Sequence, residues 1–147
     1  MSLRMLEDPA VILCVDDFYQ CGNMKQLIMD KINLADKLAR FSECWSPRIV
    51  GELNGQHVKV VKIKGEFLWH EHEKEDELFL VITGKMIIHL RDRAIELSEG
   101  EFFIVPKGIE HKPAAEEEAH ILIFEPASTV NTGTIRNERT VDRPERI

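Results

Sequence analysis

From Arg48 onward the chain reads with a period of two. RIVGEL and HVKVVKIKGEF lie on either side of Asn54-Gly55, a pair that supplies the two positive φ angles of a tight hairpin turn. The alternation returns in ELFLVI, MIIHL, AIEL, EFFIV and HILIFEP, separated by Thr83-Gly84-Lys85, Arg91-Asp92-Arg93, Ser98-Glu99-Gly100 and an acidic loop around Glu116 to Glu118. Helices repeat their apolar residues every third or fourth position, and these segments do not. Short strands at intervals of about ten residues, each closed by turn chemistry, predict an all-β domain, either a sandwich or a barrel.

Only one helix is predicted. NLADKLARF spaces Leu34, Leu38 and Phe41 on one helical face, with Asn33 as its N-cap. Upstream, residues 1–23 mix a short apolar piece, Ala10 to Val15, with turn and acidic residues, which suits an extra strand, a disordered extension or sequence upstream of the native start. After Pro126 the chain is polar and charged, with little to bury, and a tail lying extended over the surface or partly disordered is expected. The resulting division is an N-terminal extension with a short helix over 1–48, a barrel over 49–126 and a charged C-terminal tail over 127–147.

At 147 residues and 44% hydrophobic content the chain can build one real core. Its formal charge of −7, from 26 acidic against 19 basic residues, repels phosphate backbones and anionic lipid. Nucleic acid and membranes are therefore not expected as partners. No stretch has the roughly 18 apolar residues that span a bilayer. Cys14, Cys21 and Cys44 form no CxxC pair, which fits free thiols in a reducing compartment, so a cytoplasmic protein is expected.

The chemistry concentrates in two stretches. In WHEHEKEDELF, an extended backbone puts His70 and His72 on one side and Trp69 and Glu71 on the other. Such a pair is either two ligands offered by one strand or two solvated side chains beside a charged turn. An antiparallel return through Glu73 to Asp76 would bring Glu77 back toward the histidines. In GEFFIVPKGIEH, Pro106 and Gly108 fix a corner that can hold His111 rigidly. Three imidazoles and one carboxylate would suit Fe, Mn, Ni, Cu or Zn better than Ca or Mg. His57, His89 and His120 read as surface or structural residues.

These two stretches resemble the paired signature motifs of the cupins. His70-x-His72, four residues, Glu77, six residues and Gly84 follow the first motif, although Gly65 precedes His70 by four residues where the family has five. Gly100, Pro106, Gly108 and His111 follow the second, with Ala115 in place of its closing asparagine. The resemblance implies a double-stranded β-helix, or jelly-roll barrel, with a divalent transition metal (Fe, Mn, Ni or Zn) on His70, His72, Glu77 and His111. It also implies a small-molecule ligand in the barrel and pairing as a homodimer, to which the outward Trp69 would contribute.

The pocket is expected to be apolar, with Phe67, Phe79, Val81, Phe102, Ile104 and Phe124 to line or close it. The family resemblance allows an enzyme of dioxygenase, isomerase or decarboxylase type, or a binding module without turnover. No general acid or base stands out beyond the ligands: Lys62, Lys85 and Arg91 have no assignable facing, and Glu101 and Glu110 flank the second motif as solvated side chains. No catalytic residue is assigned.

Overall fold

The structure, a computed structural model, describes residues 30–147. The strand considered for Ala10 to Val15, together with Cys14 and Cys21, lies outside the described residues. Asn33–Ile147 forms one compact unit.

Its single helix, α1, spans Leu34–Leu38. The side chain of Asn33 caps it by accepting from the amides of Ala35 and Asp36 at 2.9 and 3.3 Å. Leu34, Leu38 and Phe41 face Val50, Val60 and Ile147 in a small apolar cluster on the outside of the sheet.

Seven strands follow: β1 Arg48–Leu53, β2 Gln56–Glu66, β3 Glu77–Thr83, β4 Lys85–Leu90, β5 Ala94–Ser98, β6 Phe102–Val105 and β7 His111–Pro126. The β1–β2 turn takes the expected form, with φ of 51° at Asn54 and 76° at Gly55, the left-handed pair that a two-residue hairpin turn requires. All neighbours pair antiparallel.

The acidic loop expected at Glu116 to Glu118 is instead part of β7. Ile63 of β2 faces Ala119 while Gly65 faces Ala115, so the three glutamates swell out as a bulge and stay exposed. The bulge lets one strand serve two regions: its first residues pair with β4, and those after the bulge pair with β3. This bent strand closes the jelly-roll.

Inside the barrel, Val61, Ile63, Phe79, Met86, Ile88 and Ile121 belong to one buried cluster. Each such side chain contributes about 1.5–3 kcal/mol of burial. Residues 127–147 lie against the barrel, held by polar contacts where apolar ones are scarce. Thr132 is fully buried and bonded to Ile135 O and Thr140 Oγ1. Ile49 N donates to Glu145 O, and Ile147 N donates to Ile49 O. Among the described residues no helix is long and apolar enough to cross a membrane.

Candidate metal centre

The segment carrying His70 and His72 is extended but is not a regular strand. It is pinned by backbone hydrogen bonds to the start of β7 and the corner before it: Phe67 N to Pro113 O, the reciprocal pair between His70 and His111, and Gly108 N to His72 O. The fixed backbone aims both rings inward without a sheet on either side. The turn between these histidines and Glu77 is more than hydrated charge, because Asp76 Oδ1 accepts the amide of Lys107 at 2.9 Å. Asp76 thereby ties the turn to the Pro106–Gly108 corner that positions His111.

The structure brings all four predicted residues together. His70, His72, Glu77 and His111 are buried, and each offers an atom within 4.8 Å of the others. His70 Nδ1 lies 3.1 Å from Leu68 O and His111 Nδ1 lies 2.9 Å from Ile109 O. A carbonyl only accepts, so each Nδ1 carries the proton and each Nε2 is left for the centre. His111 Nε2 nonetheless sits 3.2 Å from Glu77 Oε2. His72 Nε2 sits 3.2 Å from the same oxygen and has no hydrogen-bond partner. Lone pairs that converge on a buried carboxylate require positive charge between them, either added protons or one metal ion.

The electrostatics agree with that geometry. Burial lowers the His70 pKa to about 4, helped by the neighbouring His111, so the ring is neutral and free to donate a lone pair near pH 7. Burial pushes the Glu77 carboxyl up, but hydrogen bonds and positive charge from the facing His111 and His72 rings, when these carry the added protons, outweigh it and hold Glu77 well below the usual carboxylate range.

The description "Cupin domain" matches residues 57–125 of the chain. A protein of Bacillus subtilis, YdbB, is 30% identical over 92 residues, which cover 62% of this chain and 75% of that one. A solved cupin-2 domain protein from Shewanella frigidimarina is 47% identical, covering 70% of this chain and 98% of that chain with a TM-score of 0.65. The chain belongs to the cupins. Protein NMB1881 of Neisseria meningitidis is 30% identical, covering 67% and 100% with a TM-score of 0.62.

In this cupin the two departures from the family motifs meet each other. Gly65 pairs with Ala115 directly beside the β7 bulge, and Ala115 is buried. A cavity adjoins the cluster, with His70 and Glu77 in its wall and Phe67 and Phe79 among its other lining residues. The remaining pocket candidates fall elsewhere. Val81 is in the closed core. Phe102 and Ile104 are 57% and 47% exposed, because β6 turns Phe103 and Val105 inward instead. Phe124 alternates with the inward Ile123 and Glu125, so it lies on the outer face.

Lys62, Lys85, Arg91, Glu101 and Glu110 do not line the cavity. Arg91 instead makes a two-point pair with Glu110 and stacks over Trp69, 3.9 Å from the ring centroid. One face of Trp69 is therefore already covered by its own chain. His120 pairs with Glu118 at 3.0 Å, and His57 lies 3.7 Å from Glu52.

Two buried charges escaped the sequence reading. One step past the Leu78–Phe124 pair, Glu125 shares the inward face with Glu77, and Lys59 reaches it from β2. Burial and the charge of Glu77 raise the Glu125 pKa well above the usual carboxylate range. The available signal was phase: Lys59 alternates with Val61 and Ile63, and Glu125 with Ile121 and Ile123.

Proposed function

We propose that this cupin holds a divalent transition metal, Fe, Mn, Ni or Zn, on His70, His72, Glu77 and His111, and acts on a small oxygenated molecule bound beside it in the barrel. The observation that carries this reading is the buried carboxylate of Glu77 facing His111 Nε2, whose ring proton is directed to Ile109 O, and His72 Nε2, which has no hydrogen-bond partner. The donor set of nitrogen and carboxylate oxygen suits these ions. When bound, such an ion would supply a Lewis acid toward a ligand oxygen.

The chain's own residues do the rest. Leu68 O and Ile109 O fix the orientation of two rings, and the Glu77 carboxylate offsets the charge of the ion. Phe67 and Phe79 present apolar surface to a ligand in the adjoining cavity. Metal analysis of protein purified without metal-affinity resin tests the reading. Less than about a tenth of an equivalent of metal, with no uptake of added Fe, Mn, Ni or Zn, would sink it.

A second reading, a binding module without turnover, draws support from the absence of a free acid or base among the described residues lining the cavity beyond the cluster. Oxygen consumption and product formation by the Fe- and Mn-loaded protein separate the two. We also read the protein as a cytoplasmic homodimer. The lack of a CxxC pair among Cys14, Cys21 and Cys44 suits a reducing compartment, and the outward Phe102 and Ile104 suit a subunit contact. Phe102→Asp should shift the dimer to monomer in sedimentation; a monomeric wild type at micromolar concentration would discard the dimer.

A further inference from the structure

The cavity beside the cluster is walled almost wholly by carbon. Trp45 and Phe67 stack on one side, with centroids 4.9 Å apart and planes 25° from parallel. Phe79, Met86 and Ile121 also line it. The polar atoms that reach this wall from outside the cluster are already engaged. Trp45 Nε1 donates to Lys64 O at 2.8 Å. Asn131 donates from Nδ2 to Arg139 O at 2.9 Å and accepts the Val141 amide at 2.8 Å. Among the described residues no lysine or arginine lines the cavity. Arg139 stands over the Phe67 ring and uses Nη1 on Glu66 O.

Size constrains the occupant as strongly as polarity does. The free volume is about 40 Å³, room for about three water-sized bodies. We propose that the ligand of this cupin has an apolar, uncharged body of on the order of three to five non-hydrogen atoms and a single oxygen-bearing head directed at His70 and Glu77. The head's role rests on the metal-centre reading; the class of the body rests on the wall alone. A second hydroxyl on the body would be buried without a partner, and a phosphate would also lack a cation. Sugar phosphates fail on charge and flavonols on size.

The test uses hydroxamates that share one chelating head and differ in body, titrated into Co²⁺-loaded protein and followed by the visible spectrum of the ion. Isobutyrohydroxamate should bind at least about tenfold tighter than glycolohydroxamate or benzohydroxamate, and phosphoglycolohydroxamate should not bind over the same range. Equal or tighter binding by the hydroxylated, phosphorylated or larger probe overturns the proposal. A second arm uses metal-free protein and the methyl signals of Ile63, Ile121 and Ile123, all of which line the cavity. Isopropanol should shift them in a saturable way while glycerol leaves them in place; equal shifts, or no shift with isopropanol, overturn it. Failure to take up Co²⁺ counts against the metal centre alone, and the metal-free arm still decides the class of the body.

Discussion

Lys59 Nζ lies 2.6 Å from Glu125 Oε1 inside the barrel, with the two side chains 1% and 2% exposed. Lys59 is in phase with the inward Val61 and Ile63, and Glu125 with the inward Ile121 and Ile123, while Glu125 also stands beside Glu77. On this side the cluster is thus backed by a buried charged pair. A buried pair of this kind gives up hydration on both sides, so its net contribution is small, whereas either partner alone is costly.

Lys59→Met should accordingly destabilise the protein by about 3–5 kcal/mol, because Glu125 is left buried without its cation next to a second carboxylate. Lys59→Met combined with Glu125→Leu should recover most of that loss. Urea unfolding of the metal-free wild type, Lys59→Met, Glu125→Leu and the double variant measures the coupling. If the double variant were as unstable as the sum of the two singles, the pair would not be acting as a unit.

Gly133 has φ of 59°, and a Cβ added there would overlap the carbonyl oxygen of Glu71. This is where the C-terminal segment crosses the backbone between the two histidines of the pair. Gly133→Ala therefore requires either the segment or that backbone to move, at a cost of about 2–4 kcal/mol including the left-handed backbone strain. Gly55→Ala is the matched control, since it shares a positive φ but has open space around it. It should cost about 1–2 kcal/mol. Only the Gly133 variant should also weaken metal uptake; equal metal affinity in both would show that the crossing does not hold the site.

In metal-free protein His70 should make stability depend on pH. Its folded pKa, about 4, lies below the ordinary 6.5. Between those values the unfolded chain binds a proton that the native ring refuses. The contribution is therefore complete above pH 6.5 and is lost as pH falls toward about 4, up to roughly 3 kcal/mol. Glu125, raised by burial, slopes the other way above its ordinary value. The His70 share is consequently read as the difference between wild type and His70→Gln. Direct NMR titration should find the His70 ring neutral down to about pH 5; protonation near 6.5 would contradict its burial.

The sheet and the cluster were legible in the sequence for different reasons. Strand positions followed from alternation and turn chemistry, and the four cluster residues from motif spacing. Facing was harder to read, because FFIV is apolar in both phases, and only tertiary pairing turns Phe103 inward and Phe102 outward. The glutamates at 116–118 look like a loop because a bulge puts consecutive charges on the surface without ending the strand. The C-terminal segment reads as a tail when only apolar residues are counted, yet Asn131, Thr132 and Thr140 hold it through hydrogen bonds. Lys59 and Glu125 are separated by 66 residues, so nothing local marks them as partners.

The cluster itself gives the sharpest contrast among the histidines. His111 is fully buried, with one ring nitrogen held by Ile109 O and the other turned to the centre, whereas His120 pairs with an exposed glutamate. His111→Ala removes a donor and opens a polar void beside Glu77, so metal affinity should fall at least about a hundredfold. His120→Ala should leave it unchanged. Glu77→Gln keeps the shape of the site and removes the charge facing the imidazoles, so it should weaken the ion as strongly as His111→Ala while perturbing the fold less. Competition against a metal-responsive chelator, with circular dichroism to confirm folding, ranks the three. A His120→Ala protein that loses metal as His111→Ala does would place the ion away from the buried cluster.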